Sequence, residues 1–136
     1  MNNKNKSIQI TALLTIAVLA FGTTQFALAK DGDMKNQADL SEILHGLGSG
    51  EAKTEERSDR TKISIEIEDV PGPCINYVAF IGEEQVPGDF VTDFETEDGL
   101  VQCDLDFDDR NDGVAPSSLT GLVNVTGNGI TLTGTL

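Results

Sequence analysis

Eleven residues, Cys103-Asp-Leu-Asp-Phe-Asp-Asp-Arg-Asn-Asp-Gly113, place five aspartates beside one of only two cysteines in the chain. Carboxylates at this density serve three chemistries: they hold a hard cation, they work as an acid and base pair, or they dock a basic partner. Calcium takes roughly six to eight oxygen ligands, so its loops follow strict spacing. The helix-loop-helix calcium pattern D-x-[DN]-x-[DN]-G-x5-E fails here in both frames. Counted from Asp108, Arg110 occupies a ligand position and Leu119 replaces the closing Glu; counted from Asp104, Asp109 stands where Gly is required. What remains is a non-standard turn site built from Asp108, Asp109, Asn111 and Asp112, with calcium as the one candidate cofactor.

Catalysis lacks its usual groups. His45 is the only histidine and has no cysteine or second histidine to complete a zinc site, and no Ser-His-Asp arrangement is marked out in the sequence. The chain carries no dinucleotide or phosphate-binding glycine fingerprint. Paired carboxylates alone can hydrolyse glycosides, but a small domain with no Trp and one Tyr is poorly equipped to build a sugar cleft. The expectation is a protein that is not an enzyme and has no catalytic residues.

Docking is the third chemistry. Period-two alternation puts Glu66 and Glu68, then Asp93, Glu95 and Glu97, then Asp104, Asp106 and Asp108 on the outward faces of three expected strands. Like charges opposed across a sheet destabilise it, so a cationic partner would offset them. The leading expectation is a small acidic binding protein that docks this face on a basic protein or cationic peptide, in the manner of an inhibitor or immunity-type protein. The competing one is a structural, adhesin-like or fibre surface module, self-associating through its C-terminal strand or with calcium.

The elements that position these residues begin after a targeting segment. Lys4 and Lys6 precede a mostly apolar run from Ile8 to Phe21, and Ala27-Leu28-Ala29 makes a small-x-small cleavage site, the pattern of a secretory signal peptide over residues 1–29. The apolar run is shorter than the roughly 20 residues of a membrane span, and no second one follows, so no membrane span is expected in the mature chain. Secretion or export to a periplasm follows. Without residues 1–29, seven basic residues face 23 acidic ones, a net charge of −16. That field repels nucleic acid and attracts cations.

Cys74 and Cys103 are an even pair in an oxidising compartment and are expected to form one disulfide. Closing a loop of about 29 residues contributes on the order of 3 to 4 kcal/mol. Residues 30–60 form an acidic N-terminal segment in which Leu40, Ile43, Leu44 and Leu47 recur at helical spacing. The spacing predicts a short amphipathic helix there, with Asp39 as its N-cap, followed by a charged linker over residues 49–60.

From Thr61 to Leu136 the period is two. Ile63, Ile65 and Ile67 share one face; Cys74–Ile81 reads as a central covered strand; Phe90 and Phe94 share a face opposite Asp93 and Glu95. Asp98-Gly99 and Gly127-Asn128-Gly129 are hairpin turns. The expected fold of residues 61–136 is all-β: a small antiparallel β-sandwich or barrel of about six strands, ending in an exposed terminal strand.

Overall fold

The computed structural model describes residues 33–136 and the backbone of the pair Ala27–Leu28; the rest of the expected signal peptide, with its cleavage point, lies outside the described residues. The strands are β1 (Ala27–Leu28), β2 (Met34–Glu42), β3 (Ser49–Arg57), β4 (Arg60–Pro71), β5 (Val78–Ile81), β6 (Glu84–Gln85), β7 (Val91–Glu95), β8 (Leu100–Asp108), β9 (Leu122–Gly127) and β10 (Ile130–Thr135). All pair antiparallel in one sheet of order β6-β5-β9-β10-β2-β3-β4-β8-β7, with β1 added on β2. The sheet curls into a half-barrel, and its inner face holds the core. The described residues are therefore all-β with a Cys74–Cys103 disulfide, as expected, but they form a single curled sheet and not a six-strand sandwich.

The difference originates in the N-terminal segment. No helix forms over Leu40–Leu47; β2 and β3 make a hairpin that continues the sheet, so the expected linker is largely strand. Leu40 is 2% exposed, whereas Ile43, Leu44 and Leu47 are 76%, 83% and 43% exposed. The helical stripe is thus a coincidence of spacing, and the operative period is two, with Asn36, Ala38, Leu40 and Glu42 all inward. Two of those inward residues are polar, and both are satisfied. Asn36 Nδ2 donates to Thr54 Oγ1 at 3.3 Å, and Thr54 in turn donates to the Leu119 carbonyl at 3.2 Å. The Glu42 carboxylate accepts the backbone N–H groups of Leu44, His45 and Leu47 at 3.1, 2.5 and 3.5 Å, and its Oε1 lies 3.2 Å from His45 Nδ1. Burial works against ionisation of Glu42, but the His45 and Leu44 N–H groups and the His45 ring outweigh it and hold its pKa below the ordinary carboxylate range. His45 therefore sits in the β2–β3 loop, as part of the clasp around Glu42.

β4 and β8 form as their alternation dictates. Ile63, Ile65 and Ile67 are buried opposite buried Phe107, Leu105 and Cys103. The expected strand Cys74–Ile81 starts only at Val78, because Cys74–Asn76 is a single 3-10 turn. The disulfide ties its first residue to β8, and the buried Tyr77 donates its hydroxyl to the Pro71 carbonyl at 2.6 Å. The Tyr77 ring meets Phe90 edge-on at 6.2 Å.

β9 and β10 make the expected hairpin. Asn128 and Gly129 both have positive φ, 47° and 81°, which is the twist a two-residue hairpin turn requires. β10 is not an exposed terminal strand: it lies between β9 and β2, and Leu136 is buried and exchanges backbone hydrogen bonds with Gly121. Its approach to β2 depends on Gly134, where a β-carbon would overlap the Asp39 carbonyl oxygen. No helix among the described residues is long and apolar enough to cross a membrane.

Candidate functional site: the outer face of the sheet

With one face of β2, β3, β4 and β8 committed to the core, the other carries a grid of polar side chains set by strand register. Four cross-strand rows run across it. Lys35, Glu55, Lys62 and Asp108 form the first, and Gln37, Lys53, Ser64 and Asp106 the second. Asp39, Glu51, Glu66 and Asp104 form the third, and Ser41, Ser49 and Glu68 the fourth.

The first two rows are balanced. Lys35 pairs with Glu55 at 3.8 Å, Arg57 bridges Glu55 and Asp33, and Arg60 Nε donates to Asp108 Oδ2 at 3.0 Å. That guanidinium holds Asp108 below the usual carboxylate range. Ser64 donates to Asp106 at 2.8 Å. A cavity of about 390 Å³ lies over these rows, lined by Lys35, Lys53, Lys62, Gln37, Glu55 and Ser64 together with Asn36 and Thr54. The six described cations, Lys35, Lys53, Arg57, Arg60, Lys62 and Arg110, all belong to this end of the sheet or to the turns bordering it.

The third row is four carboxylates with no alternating cation. Glu51 at its second position is paired directly, with Lys53 at 2.5 Å and with the Gln37 side-chain amide. Glu66 and Asp104, directly opposed, have no lysine or arginine within 4.0 Å among the described residues. Loss of water around Glu66 raises its pKa, and the charges of Asp104, Glu68 and Glu51 raise it further, with Lys53 as a partial offset. Asp104 is raised in the same way, by desolvation first and then by Asp93 and Asp106, with Gln102 as a partial offset. One oxygen of Asp104, Oδ1, is buried and accepts no hydrogen bond.

Of the expected docking residues, Glu66, Glu68, Asp104, Asp106 and Asp108 share this face, although Asp108 is neutralised by Arg60. Asp93 and Glu95 do not share a face. In β7, Val91 opposes Asp104 and Thr92 opposes Cys103, but Phe94 opposes Gln102, so Asp93 is an extra residue in a β-bulge. The bulge flips everything after it. Phe94, expected inside with Phe90, stands on the outer face at 60% exposure while Phe90 is buried, and Glu95 lies opposite Val101 on the other face.

Asp39 and Glu51, which complete the carboxylate row, lie in the segment whose spacing predicts a helix and a linker, so the sequence expectation does not include them. The signal that marks them is the alternation Lys35, Gln37, Asp39, Ser41 against Asn36, Ala38, Leu40, Glu42.

The turn after β8 uses its carboxylates internally. Asp109 Oδ1 accepts the Thr61 N–H at 3.0 Å, Asp112 Oδ2 accepts the Asp108 N–H at 2.8 Å, and Asp108 Oδ1 accepts the Arg110 N–H at 3.2 Å. Among the described residues, no three His, Cys, Asp or Glu side chains converge as a metal would require. No protein family, curated protein or solved structure matches this chain.

Proposed function

We propose that this chain is a small acidic exported binding protein, without catalytic activity, whose outer carboxylate band docks on a basic protein in the manner of an inhibitor or immunity-type protein. The observation that carries the reading is the third row: Asp39, Glu51, Glu66 and Asp104 stand side by side across four strands, while the described cations lie in the first two rows or in the turns bordering them and only Lys53 reaches this row, at Glu51. A sheet can alternate charge along a row, as the first row does, so the third row is an energetic cost that the fold alone does not require. A basic partner removes that cost on binding, and the field of an acidic chain steers it to the surface. An oxidised Cys74–Cys103 pair is compatible with a compartment outside the cytosol.

The test is affinity capture with the protein immobilised, from the secreted or periplasmic fraction of its own cells, run at low and high salt and in calcium and in chelator. Retained proteins should be basic, should elute with salt, and should be lost when Glu66→Gln and Asp104→Asn are combined. Retention that is indifferent to salt and to those substitutions contradicts the reading. Retention only in calcium would transfer the interaction to the Asp108–Asp112 turn.

A further inference from the structure

We infer that β7 is a docking edge, where a basic extended segment of the partner adds to the sheet as a further strand beside the carboxylate band; this inference rests on the binding reading above. Among the described residues the main run of the sheet ends at β6 and at β7, and β7 is the longer edge. At the β6 end, the strand is two residues long and the Glu84 carboxylate is taken up by the Ser117 N–H at 2.7 Å and by the Ser117 hydroxyl, which brings residue 117 over it. At the other end, all five residues of β7 are exposed, and among the described residues the strand's ladder runs to β8 alone. An edge of this kind offers free backbone donors and acceptors to an incoming strand.

The occupant follows from charge. No lysine or arginine occurs between Glu66 and Asp109, and exposed Asp89, Asp93, Glu95, Glu97 and Asp98 surround the edge. A second copy of the chain would bring these carboxylates against their equivalents, so self-pairing is disfavoured where a basic strand is drawn in. The bulge at Asp93 supplies the apolar footing. It sets Val91 and Phe94, 62% and 60% exposed, on the same face as Asp104 and Gln102. An outer-face lysine or arginine on the added strand starts about 10 Å from β8, two strand spacings away. Its aliphatic stem lies along Val91 while its head reaches toward Asp104, with Glu66 one strand further on adding to the field, and an arginine beside Phe94 also meets the ring face. The edge and the band are thus one continuous surface for a segment that alternates basic and apolar residues.

The test uses a synthetic peptide slightly longer than β7 that alternates lysine and valine, with binding to the protein expressed from its full sequence followed at low salt. Two further peptides carry N-methyl groups, one on every lysine amide and the other on every valine amide; charge and side chains are unchanged, but each loses one edge of donors. Strand addition uses one edge only, so one methylated peptide should bind about tenfold or more weakly and the other should match the parent. Equal affinity of all three, or equal loss from both methylated forms, overturns the edge while leaving the acidic-band reading standing. A parent peptide that fails to bind, or binds equally well after Glu66→Gln with Asp104→Asn, overturns both. Dimers of the free protein blocked by the peptide would replace the basic segment with a second copy as occupant.

Discussion

Replacing Asp104 by Asn should make the protein more stable, which is an unusual direction for a substitution in a central strand. Asp104 stands directly opposite Glu66, with Asp93 and Asp106 as further negative neighbours and no cation within 4.0 Å among the described residues. Opposed like charges on a sheet cost roughly 0.2 to 1 kcal/mol per pair, so relieving Asp104 of these neighbours should yield about 0.5 to 1.5 kcal/mol at neutral pH and low salt. For a domain of this size that is a rise in Tm of about 3 to 8 °C. The pH dependence follows from the direction of the shifts. Asp104 and Glu66 have folded pKa values raised above the unfolded ones, so their stabilising contribution is complete below the unfolded carboxylate range and is lost as pH rises through the folded values. The advantage of Asn should accordingly be large at pH 7 and vanish at acid pH, where the wild-type carboxyl is already neutral. Added salt should shrink it too. Thermal melts by circular dichroism at both pH values, with and without salt, measure this. A neutral or destabilising effect at pH 7, or a gain that ignores pH and salt, would refute the electrostatic reasoning.

Other expected outcomes concern the parts that hold this face in place. Gly134→Ala forces a β-carbon onto the Asp39 carbonyl and should cost about 1 to 3 kcal/mol by denaturant titration; no loss would mean that β10 and β2 are not so closely apposed. Reducing the Cys74–Cys103 disulfide should cost about 2 to 5 kcal/mol, read as a lower midpoint in urea with reductant. Arg60→Ala should raise the Asp108 pKa, followed by carboxyl NMR. Because that pKa is lowered in the fold, the stability it carries is present above the unfolded value and lost on acidification through the folded one, and the variant should lose this acid-sensitive part.

How much of this was legible in the sequence depends on which period each segment showed. From Ile63 to Glu68 in β4 and from Val101 to Asp108 in β8, apolar residues and Cys103 alternate with polar ones, mostly carboxylates, so the pairing faces of these stretches and the outward Glu66, Glu68, Asp104 and Asp106 are legible directly, as the lone cysteine pair is for the disulfide. β2 was not, because its inward positions include Asn36 and Glu42, whose burial depends on Thr54 and on the Leu44–Leu47 loop, partners that only the fold supplies. Asp39 and Glu51, half of the third row, are hidden with it. β7 failed for a different reason: one extra residue at Asp93 reverses the face of all that follows, and alternation alone does not mark where a bulge falls. The rows could be listed strand by strand from sequence, but which carboxylate opposes which, and which are left without a cation, is a property of register.

The decisive measurement is the salt dependence of affinity for the most strongly retained basic protein, compared between the wild type and the Glu66→Gln, Asp104→Asn double variant. The wild type should bind with an affinity that falls steeply as salt rises, and the double variant should bind weakly with a shallower slope while remaining folded. An affinity that is flat across the salt range, or a double variant that binds like the wild type, would show that the carboxylate row does not face a cationic partner.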